Sequence, residues 1–325
     1  MSHNVTIEVL DEFSTRLHIN TALNFGINIP AMYFIIFHSP KAMGFYKYYL
    51  LYTVVTTFIM DIHHTVFYGL YFLLPSMSSC CSGYCRHFGM VWGPQVNYLI
   101  FNVNMSLVGI GLVFLGVYRY FVLSGNSKWF DSKHSLLGLF LISLIYPTPT
   151  IIVLVVVSFN QSKEELLDLT NSESPEYASL VQMGICSSFK TPSLGLIYIV
   201  VSSLQIGIIA FIGFFSAVKT SDLLKSVKDS LTKTTYTIQK QLLISMWIQL
   251  LTPIVTLGVP ISIMMFLALF EVRNLGFVSE VGIHVMTLHA PINGLIVMIV
   301  IKPYRNALKR LFVRNSSSPP PKIFQ

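Results

Sequence analysis

The sequence predicts an all-α membrane protein, a bundle of seven spanning helices, and three observations carry that prediction. First, 53% of the 325 residues are hydrophobic, only 11% are charged and the mean hydropathy is +0.65, whereas about 25% of residues are charged in a soluble domain. Second, the chain between its charges falls into uncharged runs at 17–40, 62–85, 87–118, 134–162, 191–218, 241–270 and 281–301, each able to hold a span of about 20 residues. Third, lysine and arginine alternate in density between successive connections. Sixteen follow the first, third, fifth and seventh spans, and five (Arg16, Arg86, Lys163, Lys190 and Arg273) lie on the opposite side. Cytoplasmic loops carry the excess of positive charge, so the N-terminus is expected outside and the C-terminus inside. The net charge of +7 then belongs to the inner membrane surface and its lipids, and argues against a nucleic-acid partner.

In chain order, residues 1–18 are expected to form an extracellular N-terminus and 19–301 the seven-helix bundle. No short apolar segment with a small-residue cleavage site precedes the first span, so no removable signal peptide is expected. Helix one, 19–37, carries Pro30 as a source of a kink. Helix two, 48–74, carries Asp61, His63 and His64. A charge at mid-bilayer is expensive, so Asp61 must face the interior and find a partner. Helix three occupies the longest uncharged run, 87–118, and is the expected centre of the bundle. Helix four, 136–157, bends at Pro147 and Pro149, and the acidic loop 158–191 follows. Helices five (194–217) and six (242–269) are prolonged into the cytosol by the basic stretch 219–240. Helix six carries Trp247, Pro253 and Pro260, and helix seven, 281–301, carries His284, His289, Pro291 and Asn293. Tyr304, Ala307, Leu308, Leu311 and Phe312 alternate with Arg305, Lys309, Arg310 and Arg314, the spacing of a basic amphipathic helix over 302–314 lying on the inner surface. Residues 315–325 read as a disordered cytoplasmic tail.

The four cysteines, Cys80, Cys81, Cys85 and Cys186, all fall in loops expected outside, where disulfides form. A bridge from the first outer loop to Cys186 is expected. Cys85 with Cys186 would tie the outer end of helix three to the long loop, although spacing leaves open which of the three reaches it. The sequons at Asn4 and Asn160 lie on the same side and are candidate glycosylation sites. Arg119, between Tyr118 and Tyr120 at the inner end of helix three, reads either as an interfacial arginine or as a switch residue. Asp61, Asn102, Asn104, His289 and Asn293 share middle depths on helices two, three and seven. They are expected to form one polar core, structural or rearranging.

Specific words then point to a family. Ser39-Pro40-Lys41-Ala42-Met43, Tyr48-Tyr49-Leu50-Leu51, Asp61-Ile62-His63, Pro75 at the end of helix two and above all Lys302-Pro303-Tyr304-Arg305 resemble the nematode serpentine chemoreceptors. These are seven-transmembrane G-protein-coupled receptors, and the likeness is to the class h and class i branch of the Str superfamily. It covers essentially the whole chain. It implies a receptor bundle that binds a small external chemical and couples to a heterotrimeric G protein in the plasma membrane, in cilia of chemosensory neurons. Two departures from rhodopsin-like receptors stand out. Tyr118 occupies the position before Arg119 where an acidic residue is common, and helix seven lacks an Asn-Pro-x-x-Tyr sequence, Pro303-Tyr304-Arg305 standing lower.

From position in the outer half, Gln95, Tyr98, Phe101, Tyr198 and His284 are the candidate ligand contacts. Tyr118, Arg119, Tyr120, Pro303, Tyr304 and Arg305 are the candidate coupling and switch residues. No catalytic residue, metal or cofactor is assigned. Two rivals come from other classes. A metal-dependent membrane hydrolase would use Asp61, His63, His64, His284 and His289, yet His284 and His289, five apart, are rotated by about 140° on a helix. A small-solute transporter would predict an internal repeat, and none is evident.

Overall fold

The computed structural model describes residues 6–73, 78–159, 162–173, 175–188, 192–270, 272 and 276–316. Among these described residues seven helices are long and apolar enough to cross a membrane: Ile7–Phe37, Tyr46–Tyr68, Val91–Leu123, Lys133–Leu154, Gly195–Ser226, Lys233–Leu267 and Gly276–Val300. Helix three packs against helices two, four, five and six, the central place expected of the longest uncharged run. A Cβ at its Gly116 would collide with the Ser216 hydroxyl of helix five, so the absence of a side chain lets the two helices approach closely. Helix seven packs between helices one, two and six. Helix five turns Leu204, Ile208, Phe211 and Phe215 outward, an apolar face suited to lipid.

Helix one starts earlier than the sequence suggested. It begins at Ile7 with Thr6 as its N-cap, the Thr6 hydroxyl accepting the Val9 amide at 3.5 Å. Its 31 residues extend over roughly 46 Å, well beyond a hydrocarbon core of about 30 Å, so the first turns project past the bundle. Residues 7–18 are therefore a helical extension. Leu10, Phe13 and Leu17, on one face, are fully buried, while Asp11, Glu12 and Arg16 on the other disguise the segment as a polar terminus.

Helix two ends sooner than expected. Its last turn, His63–Tyr68, widens to a π-helix and stops at Gly69, whose φ of 54° favours glycine. Leu70–Leu73 is then a strand, β1, which pairs antiparallel with β2, Ser78–Cys81, and β2 pairs with β3, Cys186–Ser187. Pro75, expected to end helix two, lies outside the described residues, as do the sequons at Asn4 and Asn160 and the tail beyond Ser316.

The expected bridge from the first outer loop to Cys186 forms, and its partner, which spacing left open, is Cys80 rather than Cys85. Cys80 stands opposite Cys186 in the β2–β3 register and bonds to it, while Cys81 bonds to Cys85. Successive side chains of a strand point to opposite faces, so adjacent Cys80 and Cys81 are sent to different partners. The long loop is thereby tied to the sheet rather than to the end of helix three.

The helix breaks follow the prolines. Helix four is interrupted between Ile145 and Thr148 at Pro147, and the helix-six ladder slips into a π turn, Ile254–Gly258, directly after Pro253. Helix one continues through Pro30. Helices five and six run on past the apolar runs and meet at a turn capped by Thr232, whose hydroxyl accepts the Thr235 amide at 3.2 Å. The loop before β3 contains short helices at Lys163–Glu173 and Ala178–Gln182. A final helix, Lys302–Ser316, buries Tyr304 and Ala307 and exposes Lys302, Lys309 and Arg310.

Candidate functional site

At the end of the bundle holding Arg119, helix three delivers Tyr118 and Arg119 into an aromatic nest formed from helix two. The Arg119 guanidinium is 3% exposed, stands 5.1 Å from the centre of the Tyr46 ring and donates from Nη2 to the Gln239 carbonyl of helix six at 2.8 Å. Its Nε has no partner. Tyr118 donates to Asp131 at 2.9 Å and packs against Tyr49 at 4.9 Å between ring centres. Tyr49 in turn bonds to the Phe130 carbonyl and the Ser135 hydroxyl. The sequence supplies no carboxylate before Arg119, and a ring face and a backbone carbonyl stand in its place. Tyr120 is half-buried, outside this nest. The Pro303-Tyr304-Arg305 segment is drawn in by Tyr304, fully buried, whose hydroxyl meets Ser39 at 2.7 Å and the Met43 sulfur at 3.4 Å. Burial raises that phenol's pKa to about 12. Arg305 stays half-buried and Pro303 holds the first turn of the helix.

At middle depth the expected single polar core is divided. Asn293 accepts from Gln249 of helix six at 2.9 Å and donates to Thr57 of helix two at 3.4 Å. His289 pairs with Thr256 at 3.2 Å. Asn102 belongs to a different set nearer the disulfide end, and among the described residues Asn104, buried on the same helix, bonds to none of the others. Asp61 is 1% exposed, and the Asn24 side chain of helix one stands beside its carboxyl group. Asn24 accepts from Asn28 at 2.6 Å, and Asn20 donates to Thr287 at 2.6 Å. Sequence reasoning missed these helix-one residues, although Asn20, Asn24 and Asn28 recur every four residues and so mark one helix face.

Toward the disulfide end, Tyr98 and Phe101 of helix three and Tyr198 of helix five come together. Tyr98 donates to the Tyr198 hydroxyl at 3.0 Å, and Tyr198 to Asn102 Oδ1 at 2.9 Å. Phe101 lies edge-on to His64 at 4.5 Å, and Phe72 of β1 edge-on to Tyr98 at 6.3 Å. Gln95 turns away, donating to the Ser158 carbonyl at 2.9 Å. His284 faces helix one, against Phe13 and Asn20. The cluster is roofed by the three-stranded sheet and the helix-one extension, whose Phe13 packs on Tyr71 at 5.2 Å. Arg16 pairs with Glu280 of helix seven at 2.5 Å, and Asp11 with Arg86. In this roof, burial first and the nearby Glu280 charge second push the Tyr71 phenol's pKa upward.

With this geometry in place, the comparisons decide the family. A family model described as the serpentine-type seven-transmembrane GPCR chemoreceptor Srh matches residues 10–314. The chain belongs to the Srh family. This is class h of the two classes that the sequence words resembled. Squid rhodopsin, solved as a crystal structure, is similar in fold at 12% identity and a TM-score of 0.61, over 96% of this chain and 88% of that one. No curated protein matches the sequence. The Srh chain is therefore a multi-pass membrane chemoreceptor of the GPCR fold and not an enzyme. The five residues of the hydrolase rival do not assemble: His63 bonds to Asn97, His284 to Asn20 and His289 to Thr256. Among the described residues no three His, Cys, Asp or Glu side chains are grouped to hold a metal.

Proposed function

We propose that this Srh receptor lies in the plasma membrane of nematode chemosensory neurons, in their cilia, with the disulfide end outside and the Arg119 end in the cytosol. It serves olfaction or a related chemical sense. A small external chemical binds in the outer half beside Tyr98, Phe101 and Tyr198 and favours a state in which helix six moves away from helix three. That movement opens a basic cytoplasmic cleft for a heterotrimeric G protein. A ligand shifts such an equilibrium only through unequal affinity for the two states. The Tyr98–Tyr198 contact, which joins helices three and five, is placed to differ between them.

The observation that carries the reading is the bond from buried Arg119 to the Gln239 carbonyl. Among the described residues it is the one hydrogen bond between helix three and helix six, and a small displacement of helix six breaks it. The sixteen lysines and arginines of the connections assigned to this side support the orientation, and the Lys302–Ser316 helix supplies a basic surface for lipid and partner.

The test is guanine-nucleotide exchange on a G protein in membranes carrying the full chain, compared with Arg119→Ala at equal surface amount. Exchange, basal or evoked by an odorant mixture, is expected to fall to background with the substitution. Exchange equal to that of the unsubstituted chain would remove Arg119 from coupling and sink the switch.

A further inference from the structure

The outer half of the bundle is shut from above and open at the side. Phe13 of the helix-one extension, Tyr71 of β1, the bridged cysteines and Leu180 of the long loop belong to one buried apolar cluster that reaches down to Phe101 of helix three. Two disulfides run through it, so a molecule arriving from water meets a packed and cross-linked layer.

The wall between helices five and six is built differently. Toward the Arg119 end the two helices are tied. The Trp247 indole of helix six donates to the Ser221 hydroxyl at 3.1 Å and packs on Phe214 at 5.8 Å, and Leu250 closes on Gly213 so tightly that a Cβ there would stand 3.0 Å from it. Past Pro253 the π turn redirects helix six. Its outer part, Val259–Leu269, packs on helix seven, with Pro260 and Met264 lying against Gly282. Helix five does not follow it. Seven residues make two turns and return to the same face of a helix. Ile206, two turns outward of Gly213, is 56% exposed, and Ile254, two turns outward of Trp247, is 43% exposed. The faces that meet near the Arg119 end are therefore bare in the outer half, and lipid tails, as apolar as the side chains, supply no force to close them.

One line of side chains leads from that gap to the candidate site. Tyr198, Ser202 and Ile206 succeed one another every four residues along helix five and so share a face. Their exposure climbs from 7% at Tyr198, through half-buried Ser202, to the open Ile206. Beside this line helix five carries a groove of about 660 Å³, lined by Ile199, Ser203, Gly207 and Phe211 among others, a size that suits a small organic molecule. Nothing stands within 4 Å of a Cβ at Gly207. At the inner end of the line, the Tyr198 hydroxyl meets Tyr98 and Asn102.

We propose that the ligand of this receptor enters sideways from the outer leaflet, resting in the helix-five groove and passing between helices five and six along Ser202 to Tyr198, while the roof stays shut. The inference rests on reading the outer half as the ligand site, and it adds the route by which that site fills. The bilayer is then the phase the receptor samples. Because a binding free energy does not depend on path, a residue of the gap sets the rates of arrival and departure and leaves the affinity alone.

The experiment reads access alone, so it needs neither the ligand nor a G protein. All four cysteines of the chain are paired, so in Ser202→Cys the introduced thiol is the one target. The full chain in lipid nanodiscs is treated with N-cyclohexylmaleimide, which dissolves in the bilayer, or with trimethylammonium-ethyl methanethiosulfonate, whose fixed charge keeps it in water. Each rate is divided by that of the same reagent on Ser226→Cys, at an exposed serine where helix five ends. The apolar reagent is expected to label position 202 and the charged one to leave it untouched. Adding Ile206→Trp, or Ile254→Trp from the opposite wall, should slow the apolar reagent roughly tenfold, as a barrier raised by about 1.4 kcal/mol does. Phe215→Trp, exposed deeper on the same helix, should not, and thermal midpoints confirm that each variant folds. A charged reagent that labels as fast as the apolar one puts the route through the roof and overturns the proposal. Labelling that neither tryptophan slows, or no labelling by either reagent, overturns it equally. If the sideways path is found while nucleotide exchange stays flat, the coupling reading fails and this one stands.

Discussion

The two ends of the bundle are closed by different chemistry. At one end two disulfides, a three-stranded sheet and the buried face of the helix-one extension form a roof with many independent ties. At the other, the hydrogen bond described between helices three and six is one guanidinium on one backbone carbonyl, steadied by a tyrosine face and backed by apolar packing that carries no covalent tie. A covalent roof cannot open by small steps, whereas a single hydrogen bond exchanges for another at little net cost. The contrast makes the disulfide end the more constrained of the two, and the proposed switch at Arg119 uses the less constrained one.

The largest expected effect breaks the roof. Cys186→Ala removes the bridge between sheet and long loop, and loss of a native disulfide costs about 2–5 kcal/mol. The amount of receptor at the cell surface should fall steeply, and Cys80→Ala should match it. Cys85→Ala breaks the other, short-range bridge, whose four-residue separation constrains the unfolded chain less, so its loss should be milder. Equal losses for Cys85→Ala and Cys186→Ala would argue that the two bridges act as one unit.

Next comes Phe13→Ala. Phe13 is fully buried against Tyr71 and His284, and emptying such a site costs about 3 kcal/mol. A lowered thermal midpoint in detergent is expected, together with faster proteolysis of the extension. An unchanged midpoint would mean that the extension is not part of the roof.

At the opposite end, Tyr304→Phe removes a hydroxyl bonded to Ser39 and to the Met43 sulfur, a loss of about 1 kcal/mol. The phenol's pKa rises from 10.0 to about 12 on folding, so the folded chain keeps a proton that the unfolded chain loses. Its stability contribution is complete below pH 10 and is lost as pH rises toward 12. Thermal midpoints of wild type and Tyr304→Phe should therefore converge across that window, and a constant gap would show that Tyr304 does not titrate there.

The same contrast sets what the sequence revealed. The seven spans were legible because each is an uncharged run bounded by charge, and the helix-four and helix-six breaks because proline removes a specific backbone bond. The helix-one extension was hidden by Asp11, Glu12 and Arg16 on its outer face, which ended the apolar run while Leu10, Phe13 and Leu17 continued the inner one. The disulfide pairing was hidden because it depends on a strand register that begins at Gly69, inside what read as helix two. Arg119 was visible as a charge at a helix end. Its acceptor was not, since the carbonyl of Gln239 belongs to the backbone and carries no side-chain signature.

The smallest expected effect tests which force holds the roof. Arg16 and Glu280 are in contact, but their side chains are 47% and 18% exposed, and exposed ion pairs contribute about 0–1 kcal/mol because solvent screens them and two long side chains are immobilised. Arg16→Gln should therefore lower the thermal midpoint far less than Phe13→Ala. The small loss should shrink further as salt is raised, since the pair is already open to ions, whereas the Phe13→Ala loss should be indifferent to salt. If Arg16→Gln instead rivals Phe13→Ala, the extension is pinned by charge rather than by buried apolar surface. High salt would then release it, and the roof would no longer be the rigid end of the bundle.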